Sequence, residues 1–280
     1  MKPSILPALV LASLLGACSA GSGDGPTSKP EGAPPTGAGN PAAPGGSPGS
    51  VPGVPDTLDD PGTLDDPDRP VLDPTTSGAR YRVTLSNLWG AEDYPQEFPD
   101  DAHLSLVGGA LHTEDTVFWA FGEPLSRGME DLAETGRIDI LLYDEVVPAI
   151  EAGEASSYVE YRTYTGPMID GQPGTSEFEI EAEAGFERLT LATMLGPSPD
   201  WFVGVSGLAL DDANGWQARI EVDLPLLDGG SKSDIIPTMG GPSIRPPEPV
   251  GYVAYDPATG TYLPSAEPQI MARLTLMRIR

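Results

Sequence analysis

Apolar and polar residues alternate in several short runs between residues 79 and 280. In Glu177-Phe178-Glu179-Ile180-Glu181 the alternation is strict and puts Phe178 and Ile180 on one face. Tyr81-Arg82-Val83-Thr84-Leu85 alternates in the same way. Successive side chains of a strand point to opposite faces, so such runs predict half-buried strands. Thr116-Val117-Phe118-Trp119-Ala120-Phe121 is rich in β-formers and reads as another. Leu189–Leu195, Trp201–Leu210, Trp216–Leu224 and Ile270–Met277 complete the set. Short strands with turn residues between them predict an all-β fold, an antiparallel β-sandwich. One segment keeps a different period. Arg127–Thr135 sets Met129, Leu132 and Ala133 at helical spacing and ends before Gly136, which predicts one short helix with a glycine stop.

Upstream the pattern disappears. Residues 19–78 hold 12 Gly and 13 Pro and almost no aromatic or large apolar side chain. Such a segment buries too little apolar area to offset its ordering entropy, so a disordered, acidic linker is expected over 18–78. It ends in a small duplication, Thr57-Leu58-Asp59-Asp60-Pro61 and Thr63-Leu64-Asp65-Asp66-Pro67, read as a solvated acidic tether. Residues 1–17 pair Lys2 with the apolar run Ile5–Leu15, the pattern of a secretory signal. The run is shorter than the about 20 residues that span a bilayer. Leu15-Gly16-Ala17-Cys18 resembles the lipobox of bacterial lipoproteins. That resemblance implies cleavage before Cys18, lipidation of Cys18 and a membrane partner reached through the lipid. Ser19, in place of an acidic residue, points to the cell envelope's outer membrane, on its periplasmic or its surface side. A flexible linker of this length spans about 40–50 Å, enough to hold residues 79–280 clear of the lipid.

Charge and cysteine usage narrow the function. The chain has 42 acidic and 15 basic residues, a formal net charge of -27. Residues 79–280 carry 33 and 12 of these, or -21. Nucleic-acid binding needs a basic footprint and is excluded as an expectation. Cys18 is the only cysteine, so no disulfide framework supports the fold. Catalysis is not expected. His103 and His112 are nine residues apart, not the i, i+4 pair of a helical zinc site. No Gly-x-Ser-x-Gly elbow, phosphate loop or dinucleotide fingerprint is present. His112 is expected to hold a loop carbonyl rather than to activate Ser206. Trp119, Trp201 and Trp216 are expected in the core. Trp89, in Asn87-Leu88-Trp89-Gly90, is the better candidate for exposure, with core or rim packing the more economical reading.

One stretch is more specific than any of these patterns. Met194-Leu195-Gly196-Pro197-Ser198-Pro199-Asp200-Trp201-Phe202-Val203-Gly204-Val205 resembles the Pro-Ser-Pro-Asp-Trp segment of the spondin N-terminal domain family. Tyr81–Leu85, His112, Trp119, Ser126–Gly136, Gly215-Trp216 and Asp223-Leu224 resemble further landmarks of that family in the same order. The resemblance implies a β-sandwich that binds extracellular proteins or glycans, an adhesion module. It also implies a calcium site of three aspartates. The first falls on Asp200 and the second on Asp228, in Asp228-Gly229-Gly230-Ser231-Lys232-Ser233-Asp234. The third falls on Lys232, whose ammonium cannot ligate a cation: either Asp234 replaces it by rearrangement of the Gly-Gly loop, or the site is weak, filled by water or neutralised by Lys232 itself. Read without the family, Asp200 precedes a strand in a proline-rich turn, and Asp228 and Asp234 flank a glycine-rich turn after another. Two such loops can converge at one end of a sandwich and offer the oxygen ligands that calcium requires. Asp211, Asp212 and Asn214 read as a hairpin connection instead.

Overall fold

The structure is a computed structural model that describes residues 77–96 and 98–280. The signal segment 1–17, Cys18 and nearly all of the linker expected over 18–78 lie outside the described residues. Fourteen strands follow in chain order: β1 Gly78–Asn87, β2 His103–Leu104, β3 Val107–His112, β4 Ala155–Tyr161, β5 Gly174–Glu183, β6 Arg188–Gly196, β7 Trp201–Ala209, β8 Asp211–Asp212, β9 Gly215–Trp216, β10 Arg219–Pro225, β11 Leu227–Asp228, β12 Gly251–Asp256, β13 Thr261–Ser265 and β14 Ile270–Arg278. Between β3 and β4 run the helix α1 (Arg127–Thr135), a π-helical turn (Leu141–Val146) and a short helix α2 (Val147–Glu151).

The strands form two main sheets, as the alternation predicts. One has the order β10-β14-β1-β5. The other has the order β13-β12-β11-β7-β6-β3-β4, with β2 added beside β6. Every pairing between these strands is antiparallel. Register follows from the buried face: β1 sets Tyr81, Val83 and Leu85 inward, opposite Ile180 and Phe178 on β5 and Leu276 and Leu274 on β14. A one-residue slip would turn these side chains to water. Facing them from the second sheet are Leu111, Leu189, Leu191 and Val203.

The second sheet is covered on its other face too. Ala110, Ala192 and Phe202 point away from the sandwich core and pack under Met129, Leu132, Ala133, Ile138 and Leu141. This third layer explains why β3 is buried at every position and β6 at all but its first. A strand buried on both faces loses the alternation of a half-solvated one, so Val107-Gly108-Gly109-Ala110-Leu111-His112 carried no strand signal. The helix α1 forms where its spacing predicted. Ser126 Oγ accepts from Met129 N at its start, and Gly136, in the left-handed region at φ 71°, ends it. Glu145 of the π-helical turn clamps the same end by accepting from Gly128 N at 2.6 Å and Ser126 Oγ at 2.7 Å. The helical stretch Leu141–Glu151 had no clear sequence signal.

Two expected strands are corrected. Thr116–Phe121 is a loop. Its backbone closes turns (Thr116 N to Thr113 O, Glu123 N to Ala120 O) rather than joining a ladder, and both edges of the preceding β3 are already paired with β4 and β6. Of its β-forming residues Trp119 is buried and meets the Phe202 ring edge-on at 5.2 Å, Phe118 is half-buried, and Val117 and Phe121 are exposed. Trp216–Leu224 breaks at Gln217 and Ala218: β9 turns back on β8, and a new strand begins at Arg219. That β8–β9 hairpin is the acidic connection expected for Asp211–Asn214, with Asn214 N donating to Asp212 Oδ1.

Candidate functional site

The site is built where β7 begins and β11 ends. Ser198 is fully buried and its Oγ accepts from Trp201 N at 3.0 Å, which closes the Ser198-Pro199-Asp200 turn and aims Asp200 inward. The register of β11 on β7 puts Asp228 opposite Trp201, one residue from Asp200. Gly229 N then donates to the Asp200 carbonyl at 3.0 Å. Gly230, at φ 71°, turns the chain back so that Ser231 N (2.7 Å), Lys232 N (2.9 Å) and Ser231 Oγ (3.0 Å) all reach Asp200 Oδ2. Asp228 Oδ1 accepts from Gly230 N at 2.8 Å and braces the same turn.

Asp200 is fully buried, and its other oxygen, Oδ1, has no hydrogen-bond partner. Burial holds the carboxyl above the ordinary range, although the Ser231 and Lys232 amides pull against that. Asp228 is pushed up to about 6, first by burial and then by the Asp200 and Glu248 charges. A further carboxylate comes from α1: Glu134 Oε1 accepts from Ser231 Oγ at 2.7 Å. The single Ser231 hydroxyl proton cannot serve Asp200 and Glu134 together. The site therefore holds more negative charge than its donors satisfy.

Lys232 offsets the Glu134 charge and, among the described residues, leaves the Asp200–Asp228 pair without a cation. Its ammonium lies 3.1 Å from Glu134 Oε2 and donates to Ser243 Oγ at 2.9 Å, while only its backbone N–H reaches Asp200. Asp234 sits further along, where its carboxylate abuts Gly241 on the loop's return limb. The fold thus joins Asp200 to Asp228 and draws Asp234 into a different part of the loop. Among the described residues, no three acidic, histidine or cysteine side chains are grouped as a ready metal centre. Glu134 and Ser231 had no site signal in the sequence. The α1 pattern placed Glu134 on a helix, but only packing of that helix over β7 brings it to Ser231.

The other candidate residues resolve as packing. His112 is buried, with Nδ1 at 2.7 Å from Thr113 O and Nε2 at 2.8 Å from Thr190 Oγ1, and burial lowers its pKa. Ser206 Oγ donates to Trp119 O, so Ser206 and His112 form no dyad. Trp119, Trp201 and Trp216 are buried as expected. So is Trp89, where exposure was the alternative considered: its Nε1 donates to Tyr262 Oη at 3.0 Å, and Phe98 covers the ring. A buried indole with a satisfied N–H is a core residue, not a ligand platform.

Two sheets and a helical cap on one of them, with a carboxylate-lined loop end, define an antiparallel β-sandwich. The Spondin_N family model matches residues 79–254, and the chain belongs to that family. It is 31% identical over 214 residues to Spondin-2 from Homo sapiens, covering 72% of this chain and 62% of that protein. It is 29% identical over 231 residues to Spondin-1 from Gallus gallus, covering 76% of this chain and 27% of that protein. The chain therefore spans about three-fifths of the Spondin-2 relative and about a quarter of the Spondin-1 relative. Among the described residues no helix is long and apolar enough to cross a membrane.

Proposed function

We propose that this chain is a non-catalytic, extracellular binding module that presents an adhesive β-sandwich to a protein or glycan, with calcium organising the loops around Asp200. The observation that carries the cation reading is the buried, unpartnered Oδ1 of Asp200 beside the raised Asp228 carboxyl. The donor set fits a hard cation, which takes carboxylate and carbonyl oxygens. Asp200 and Asp228 would hold it, and Lys232, engaged with Glu134, does not compete for them. A bound ion would offset the repulsion between the carboxylates and pin the β6–β7 turn to the loop after β11. The Leu15–Cys18 motif supports lipid tethering of the module to the cell envelope. Palmitate labelling in the native host is expected to mark the chain and to fail in Cys18→Ser.

Calcium titration into the purified chain tests the site. At a hundredfold excess over Kd, a ligand that binds only the folded state adds about 2.7 kcal/mol. For a domain of this size that raises Tm by roughly 5–10 °C. Asp200→Asn and Asp228→Asn should each abolish the shift, while Asp234→Asn separates a two-carboxylate site from one that recruits the third. No shift at millimolar calcium rejects the cation reading. The adhesive reading is tested separately, by glycan-array and pull-down capture with and without calcium.

A further inference from the structure

We propose that the cleft between β4 and β5 receives an extended, basic segment of another protein as an added strand. The sheet order supplies the first reason. Among the described residues β5 ends one sheet and pairs only with β1, and β4 ends the other and pairs only with β3. Their free edges face a single cleft of about 850 Å³. It narrows where Tyr161 stacks on Phe178, with ring centroids 5.3 Å apart, and its lining runs to Ser77 and Arg280. The Glu179–Glu183 stretch of β5 lines the cleft, whereas Gly174–Ser176 lies against Thr165–Pro167, and an unpaired strand edge of this kind is the template for strand addition. Ser156 Oγ, in the β4 wall, is buried without a hydrogen-bond partner.

The side chains select the occupant. Glu177, Glu179, Glu181 and Glu183 stand exposed on one face of β5. A second copy adding along this edge would set glutamates against glutamates, and like charges directly opposite are unfavourable. The other flank of β5 shows what it accepts: Arg80 and Arg82 of β1 register with Glu181 and Glu179, and Tyr81 and Val83 register with Ile180 and Phe178. Arg80 lies 3.1 and 3.2 Å from the Glu179 and Glu181 carboxylates. An incoming strand that alternates Arg or Lys with apolar residues repeats this pattern on the free flank. Four glutamates, Glu160, Glu179, Glu181 and Glu183, line the cleft against Arg80 and Arg280; Arg162 pairs with Glu160 and Arg280 with Glu181, which leaves Glu183 at the end of the row outside these ion pairs. Tyr158, exposed on the β4 rim, offers a ring face to a cation. The residues involved are distinct from those around Asp200, so this inference stands or falls without calcium.

The test uses the whole chain and two capped peptides, (Arg-Val)3 and (Glu-Val)3, followed by calorimetry and by backbone amide exchange. The basic peptide is expected to bind in the micromolar range, more weakly in high salt, and to slow exchange within Gly174–Glu183. The acidic peptide should not bind. Glu181→Lys with Glu183→Lys should weaken the basic peptide at least tenfold, and Glu267→Lys, outside the cleft, should not. The inference is overturned by absence of binding at 1 mM, by equal binding of the two peptides or by indifference to the double variant. Protection confined to residues outside β4 and β5 also overturns it. Self-association that the double variant removes would assign the edge to a second copy and overturn it as well.

Discussion

Gly109→Ala is expected to cost roughly 4–5 kcal/mol, an exceptional loss for the addition of one methyl group. Gly109 lies in β3, between β4 and β6. A Cβ there would stand 2.0 Å from Thr190 O and 2.7 Å from Leu191 Cα, both backbone atoms of β6. β6 cannot yield, because β7 holds its other edge, the sandwich core lies on one face and the helical layer on the other. Relief would require separating β3 from β6, which breaks the ladder and opens cavities in both layers. A loss of that size is exceptional for a point change and removes much of a typical 5–15 kcal/mol stability. Gly153→Ala is the control. Gly153 has φ 75° but nothing within 4 Å of a new Cβ, so only backbone strain of about 1–2 kcal/mol applies. Urea unfolding of both variants checks the ranking. A Gly109→Ala midpoint equal to that of the parent would mean that β3 and β6 can part at no cost.

Two aspartates one register step apart are expected to respond in opposite directions. Asp200→Ala should destabilise the calcium-free protein by about 3–5 kcal/mol. It strands the Ser231 and Lys232 amides, and each buried donor left without an acceptor costs about 1–3 kcal/mol. Its raised pKa does not argue otherwise, because a protonated carboxyl still accepts those bonds. Asp228→Asn should instead stabilise at pH 7. The folded-state pKa of about 6 lies above the ordinary 3.8, so the folded form binds the proton more tightly than the unfolded chain. The penalty for the charge is absent below about pH 4, grows as pH rises through 6 and then levels near 3 kcal/mol. The Asn side chain keeps an acceptor for Gly230 N without the charge. Its advantage over the parent should be near zero at pH 4 and about 1–3 kcal/mol at pH 7. His112, whose lowered pKa favours folding as pH rises through its unfolded value of 6.5, tilts both proteins equally and cancels in the difference. Saturating calcium should reverse the order, since only the parent retains the ligand. Thermal melts at pH 4 and 7, with and without calcium, check all four arms. A pH-independent difference would mean that Asp228 carries no buried charge.

The strands legible in the sequence were those with one wet face. β1 and β5 alternate because water covers half of each, and α1 showed its 3.6-residue period for the same reason. β3 was invisible because two layers cover it, and a strand buried on both sides needs only small, apolar residues. Thr116–Phe121 misled in the opposite sense: Trp119 packs into the core from a loop while Val117 and Phe121 stay exposed, and propensity cannot tell packing from pairing. At the site, the Asp200 and Asp228 positions could be read from the chain because the turn motifs that hold them are local. Their neighbours could not be. Glu134 is distant in sequence from both aspartates, and the ammonium of Lys232 could have faced them or turned away.

By itself the sequence determined the class of fold and the family, since periodicity and short turn motifs are written in consecutive residues. Only the tertiary structure decided that Lys232 joins Glu134 and leaves the Asp200 carboxylate with an unpartnered oxygen, and that β4 and β5 expose facing edges. Both depend on which distant segments pack together, and that is settled by the burial of surfaces that no local pattern encodes.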